Sequence, residues 1–98
     1  MTETQLQRAI IQLAKLLGWY VYHVAKVKGQ LKAETSVGFP DLVLVRGGRI
    51  IFVELKSAIG RVSKDQEEWL KRLSATKAEV WVWRPADWMS GAIEKVLK

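Results

Sequence analysis

Gly38-Phe39-Pro40-Asp41-Leu42-Val43-Leu44-Val45, then Arg46-Gly47-Gly48-Arg49, then Ile50-Ile51-Phe52-Val53-Glu54-Leu55-Lys56 is the stretch that decides the fold. Two runs of branched apolar residues flank a glycine pair, the pattern of a β-hairpin. Side chains alternate across a strand, so Phe52, Glu54 and Lys56 share one face. Closing the hairpin brings the start of its first strand to the end of its second, which delivers Asp41 beside Glu54 and Lys56. Pro40 fixes its own φ and holds Phe39 extended. Gly38 permits a turn that a residue with a Cβ would resist. Taken singly, Pro-Asp is a common turn dipeptide and Glu-x-Lys a common solvated strand pattern. Their weight comes from sitting at the adjoining ends of strongly apolar, paired strands. Such strands belong inside a sheet, where a charge is costly unless paired or bound to a metal. Two carboxylates and a lysine gathered there suit a divalent cation, a water molecule and a phosphodiester.

Pro40-Asp41 with Glu54-Leu55-Lys56 resembles the motif of the PD-(D/E)xK nuclease superfamily. The wider pattern resembles its virus-type replication-repair nuclease (VRR-NUC) branch, in its stand-alone phage form. That branch has an acid in its first helix, then Gly-x-Pro-Asp, Glu-x-Lys, and a Gln opening the next helix. Glu3, Gly38-Phe39-Pro40-Asp41, Glu54-Leu55-Lys56 and Gln66 meet it in order, across nearly the whole chain. The resemblance implies an α/β, restriction-endonuclease-like fold with a mixed central sheet, and a deoxyribonuclease dependent on Mg²⁺ or Mn²⁺. It implies catalytic roles for Glu3, Asp41, Glu54, Lys56 and Gln66. The implied metal ligands are Asp41, Glu54, the Leu55 backbone carbonyl, and Glu3 directly or through water. Lys56 is then expected to orient or deprotonate the attacking water, or to stabilise developing charge; one metal ion and two both stay open. By analogy with phage-encoded members, the expected substrate is branched DNA, a Holliday junction or a flap. Two other classes of function compete. One is a nucleic-acid-binding module with an inactive site, against which the intact motif argues. The other is a small interaction subunit whose acids merely pair with its many lysines.

The chain has 98 residues, which sets the expectation of one domain, residues 1–98. Nearly half are hydrophobic, there is no cysteine and there is one histidine, so disulfide frameworks, thiolate zinc sites and multi-histidine metal sites are excluded. No apolar run reaches the length of a membrane span, and the N-terminus lacks a signal-peptide pattern. The expected location is the cytoplasm of a bacterial or phage-infected host cell. A net charge of +6 favours polyanionic partners.

Along the chain, Thr2-Glu3-Thr4-Gln5 has the form of a helix capping box. Leu6, Ile10, Leu13 and Leu17 follow at helical spacing, with Ala9 and Leu16 beside them, and Gly18 is a stop. Glu3 stands one turn before this stripe. It either leans towards the stripe or is a first-turn acid favoured by the helix dipole. Trp19 to Val24 reads as a strand, with His23 a strand or surface histidine rather than a ligand. Lys26 to Ser36 is a basic, glycine-containing loop that either clamps a nucleic-acid backbone or simply connects. Ser63-Lys64-Asp65-Gln66 is a second capping box opening a helix with Trp69, Leu70 and Leu73 on its apolar side. Capping Ser63 and serving the site compete for Gln66. Lys26, Lys28, Lys32, Arg61 and Lys64 form the expected DNA track. Glu79 to Trp83 alternates as a strand ended by Pro85, and Asp87 is positioned to cap a last short helix with Trp88, Ala92, Val96 and Leu97. The expected order is α-β-β-β-α-β plus that helix. Five tryptophans suit core or interface more than base stacking. Trp69, Trp81, Trp83, Trp88 and Met89 exceed what so short a chain readily buries, so a homodimer is expected, the alternative being that they complete the monomer core.

Overall fold

The computed structural model describes residues 1–24 and 37–98. The elements are α1 (Glu3–Leu16), β1 (Tyr20–His23), β2 (Leu42–Arg46), β3 (Arg49–Leu55), α2 (Lys64–Ser74), β4 (Glu79–Trp83), α3 (Pro85–Met89) and α4 (Ala92–Leu97). The hairpin forms as its apolar runs require. β2 pairs antiparallel with β3 in a register of Leu42 to Val53 and Val45 to Ile50, and the loop is the glycine pair. β1 pairs antiparallel with β2 on one side, and β4 pairs parallel with β3 on the other. The sheet order β1-β2-β3-β4 is therefore mixed.

One face of this sheet carries the core. Leu42, Leu44, Ile51, Val53, Leu55 and Trp83 point there, against Leu6, Ile10 and Ala14 of α1 and Ile93 and Leu97 of α4, all buried. The α1 stripe differs from the expected one in detail. Ala14 is buried, Leu13 and Leu17 pack partly, and Leu16 faces solvent. Thr2 and Gln5 form the capping box, their side chain and backbone groups bonding reciprocally at 2.8 and 3.1 Å. Trp19 lies just before β1 rather than inside it. It is buried, and its indole N–H donates to the Leu97 carbonyl at 2.9 Å.

The hairpin tip brings Arg46 and Arg49 opposite each other, a like-charge pair that needs partners. Arg46 donates to the carbonyls of Leu17, Leu97 and Lys98. Arg49 makes a two-pronged bond with Glu79 at 2.7 Å for each prong and also reaches the Val96 carbonyl. Both guanidinium groups lie over the Trp19 ring, 4.6 and 5.0 Å from its centre. The tip thus caps the C-terminal ends of α1 and α4 with cations, where the helix dipole favours them.

The expected single C-terminal helix is two. Gly91 stands at φ 84°, in the left-handed region, and divides α3 from α4. Asp87 does not begin a helix. It is the third residue of α3, and its carboxylate accepts the Arg84 N–H at 2.8 Å. Among the described residues, no helix is long and apolar enough to cross a membrane.

Candidate active site

Asp41 sits one residue before β2. Its carbonyl accepts the Val24 N–H at 2.9 Å, so the β1–β2 ladder runs on to this position. Its carboxylate Oδ2 accepts the Leu55 N–H at 2.8 Å. β2 begins too late to offer Leu55 a backbone acceptor, and the Asp41 side chain fills that place. The carboxylate is thereby tied to the end of β3 and is only 8% exposed.

Glu54 lies on β3 opposite the extension of β2 that holds Asp41, on the sheet face away from the core, and is 1% exposed. The Lys56 ammonium is 3.6 Å from Glu54 Oε2, and its side chain is 14% exposed. Lys56 lies just beyond β3, where its N–H donates to the Trp83 carbonyl at 3.1 Å. Period-two alternation thus places Glu54 and Lys56 together as their spacing requires. Leu55, between them, buries its side chain in the core.

Gln66 resolves the competition between its two expected roles by using both ends of its amide. Oε1 accepts the Ser63 N–H at 2.9 Å and closes the α2 capping box. Nε2 donates to Glu54 Oε2 at 2.9 Å. The start of α2 is thus bolted to the carboxylate on β3.

α2 also grips the turn that carries Asp41. The Trp69 indole N–H donates to the Val37 carbonyl at 2.9 Å, and its ring meets Phe39 edge-on at 4.9 Å. Phe39 in turn meets Phe52 edge-on at 5.9 Å. Gly38 stands at φ 84°, and a Cβ there would lie 2.5 Å from the Asp65 carbonyl carbon and 2.7 Å from the Gln66 nitrogen. Gly38 is needed for its φ and, additionally, because the backbone of α2 leaves no room for a side chain. Pro40 is also buried.

Glu3 is exposed in the first turn of α1, beyond Leu6, the first buried residue of that helix. Among the described residues, no group of three or more His, Cys, Asp or Glu side chains is gathered closely enough to hold a metal ion. Arg61 and Lys64 are exposed, the first in the loop after Lys56 and the second as the first residue of α2. Lys26, Lys28 and Lys32 lie outside the described residues. Of the tryptophans expected at an interface, Trp83 is in the core, Trp88 packs against it and Trp69 is taken up by Phe39, while Trp81 and Met89 remain exposed.

Arg84 has a part that its sequence context did not disclose. Its guanidinium donates to the carbonyls of Ser57 and Gly60, both at 2.7 Å, and so pins the loop that follows Lys56. The signal was topological. β4 runs parallel to β3, so the residue ending β4 emerges beside the residue ending β3.

The donor set fits a hard divalent cation. Mg²⁺ takes oxygen ligands, commonly one or two carboxylates with the rest from water and substrate phosphate. Asp41 and Glu54 supply two carboxylates at adjoining strand ends, with a lysine alongside.

The VRR-NUC domain family matches residues 1–86. No curated protein matches the chain in sequence. Among solved structures the fold is similar to that of Hjc, a Holliday junction resolvase from the archaeal hyperthermophile Archaeoglobus fulgidus. The TM-score is 0.56 at 22% identity, over 84% of this chain and 69% of that one. The likeness places the α/β architecture in the restriction-endonuclease-like class.

Proposed function

The chain belongs to the VRR-NUC domain family and is a nuclease domain; from that premise we propose that it is a Mg²⁺- or Mn²⁺-dependent endonuclease that cuts branched DNA, at a four-way junction or a flap. The observation that carries the proposal is one cluster: two buried carboxylates at adjoining strand ends, Asp41 fixed by the Leu55 N–H and Glu54 held between Gln66 and Lys56.

Asp41 and Glu54 would hold the cation, with the Leu55 carbonyl as a third ligand and Glu3 contributing through water. When bound, the ion polarises the phosphate and lowers the pKa of a coordinated water. Lys56 stands beside Glu54, where it can orient the attacking water, take part in its deprotonation, or stabilise charge developing on the phosphoryl oxygens. Gln66 keeps the Glu54 carboxylate in one orientation. The Arg84 bonds to the Ser57 and Gly60 carbonyls keep the loop after Lys56 in place, which fixes where the lysine leaves the strand. Lys26, Lys28, Lys32, Arg61 and Lys64 belong to a phosphate track that positions the duplex arms. A four-way junction needs two symmetric cuts, which a twofold dimer supplies with two matched sites. Of the residues expected there, Trp81 and Met89 are exposed and so available for that interface.

The test is cleavage of a labelled panel of four-way junctions, flaps and plain duplexes in Mg²⁺ and in Mn²⁺. Asp41→Asn and Glu54→Gln each remove an anionic ligand with little change of shape, and each should abolish cleavage while circular dichroism and melting show a folded chain. Near-wild-type turnover by either folded variant in saturating Mg²⁺ refutes the site.

A further inference from the structure

Among the described residues, the sheet face that carries Glu54 is only half covered. α2 lies over its β3–β4 side, where Gln66 reaches Glu54 and Trp69 reaches Phe39. Among the described residues, the β1–β2 side is open. Tyr20 is 84% exposed, Tyr22 65%, and Val45 and Ile50 38% each. The register makes these one surface. Tyr20 pairs with Val45, Val45 with Ile50, and Tyr22 with Val43. Val21, between the tyrosines, packs on the core, so both tyrosines point the other way, to the side of Glu54.

This strip runs into the active site. The β1–β2 ladder continues through the Val24 N–H to the Asp41 carbonyl. Asp41 is therefore the diagonal neighbour of Tyr22, about 7–8 Å away by ordinary sheet geometry. That is about two base steps of stacked DNA, at about 3.4 Å each. A phosphodiester seated on Asp41 and Glu54 brings its flanking nucleotides over Tyr22 and then Tyr20. Tyrosine suits that place, because its ring offers a π-face to any base while its hydroxyl tolerates water. A second copy of the chain seated on the same strip would cover the approach to Asp41.

Resting on the nuclease function proposed above, we infer that Tyr20 and Tyr22 form a stacking platform for unpaired bases beside the scissile phosphate. The substrate class is then DNA with unpaired nucleotides at the branch, a flap or an opened junction, rather than a fully paired duplex. The full chain is tested in Ca²⁺, which replaces Mg²⁺ to hold off cleavage, against a fluorescently labelled flap and a blunt duplex of the same sequence. Tyr20→Ala and Tyr22→Ala should each weaken flap binding about tenfold and leave duplex binding within about twofold, with Tyr20→Phe and Tyr22→Phe close to wild type. Both side chains are exposed, and thermal melting verifies that the variants fold. Equal losses on flap and duplex, or no loss on either, overturn the platform. If sedimentation shows a dimer that the double alanine variant dissociates while flap preference persists, the strip is a protein interface and the inference is overturned. A wild-type chain that shows the tyrosine-dependent flap preference yet cuts nothing in Mg²⁺ or Mn²⁺ leaves the platform standing and removes the nuclease proposal instead.

Discussion

Gly38→Ala probes how the turn carrying Asp41 is held. The new methyl group would meet the Asp65 carbonyl carbon at 2.5 Å, its oxygen at 2.7 Å and the Gln66 nitrogen at 2.7 Å, against an ordinary contact of 3.4–4 Å. These are backbone atoms in the first turn of α2, fixed by the Ser63–Gln66 capping box, so no side chain can swing aside. Relief requires the helix start to back away by about 1 Å, a shift set by van der Waals contact distances. Gly91 provides a matched control, with the same φ of 84° and nothing within 4 Å of its would-be Cβ. Gly91→Ala should therefore cost only the left-handed conformation, about 1–2 kcal/mol. Gly38→Ala carries that cost plus overpacking of about 1–3 kcal/mol more. In a chain of this size 1 kcal/mol moves the melting midpoint by about 4–8 °C, so Gly38→Ala should melt at least about 4 °C below Gly91→Ala. The displaced helix also takes Gln66 away from Glu54, and a misplacement of about 1 Å near a reacting centre is enough for about a hundredfold loss of rate. Paired thermal melts and cleavage rates, measured well below both midpoints, are the assay. Coincident midpoints, or a Gly38→Ala variant that cuts as fast as Gly91→Ala, would refute the close approach as the reason for this glycine.

Lys56→Ala should lower turnover by about 10²–10⁴-fold, the range for a positioned proton-transfer or charge-stabilising group. Affinity for DNA in Ca²⁺ should hardly change, and the opposite split would make Lys56 a phosphate anchor. Gln66→Glu retains an acceptor for the Ser63 N–H but replaces the donor to Glu54 with a second carboxylate. Melting should fall, since two carboxylates then face each other at buried Glu54, and cleavage measured well below the midpoint should fall at least about tenfold, whereas unchanged cleavage would reduce Gln66 to a cap. The Arg49 hydrogen bond is the main cause that lowers the Glu79 carboxyl below its ordinary value of 4.5. A depressed folded-state pKa means that this stabilisation is complete above the ordinary value and drains away as pH falls below it. Both side chains are about one-third exposed, so the contribution is small, at most about 1 kcal/mol. Stability curves of wild type and Glu79→Gln should therefore converge below the ordinary carboxylate range, and parallel curves down to strong acid would contradict the pairing.

The hairpin and the gathering of Asp41, Glu54 and Lys56 on it were legible because both depend on near neighbours in sequence. Period-two alternation places Glu54 with Lys56, and closure of a two-residue loop places Asp41 opposite Glu54. The α2 capping box was legible for the same reason, since Ser63 and Gln66 are three residues apart. What Gln66 does with its other end was not, because that depends on where the helix docks. The crowding at Gly38 was hidden likewise, being a contact between two backbones far apart in the chain. Glu3 shows the limit of periodicity. It falls on the spacing of Leu6 and Ile10, yet burial of α1 begins only at Leu6. The terminal helices were merged because Trp88, Ala92 and Val96 share a helical spacing that passes across Gly91 unbroken. The left-handed backbone at Gly91 outweighs that pattern.

The capping of α4 by the hairpin tip bears on where this protein can be cut. The family match stops at residue 86, inside α3, and every residue with assigned chemistry precedes that point. Yet Ile93 and Leu97 are fully buried, and truncating even one such side chain to alanine typically costs about 2–5 kcal/mol. Total stabilities run to only about 5–15 kcal/mol. A recombinant fragment trimmed to the matched span would keep every candidate ligand and lose the Leu97 carbonyl that receives both the Trp19 indole and the Arg46 guanidinium. Inactivity of such a fragment would therefore report an unfolded hairpin and carry no information about the chemistry. The catalytic unit and the folding unit are different lengths of the same chain, and the second extends through Leu97.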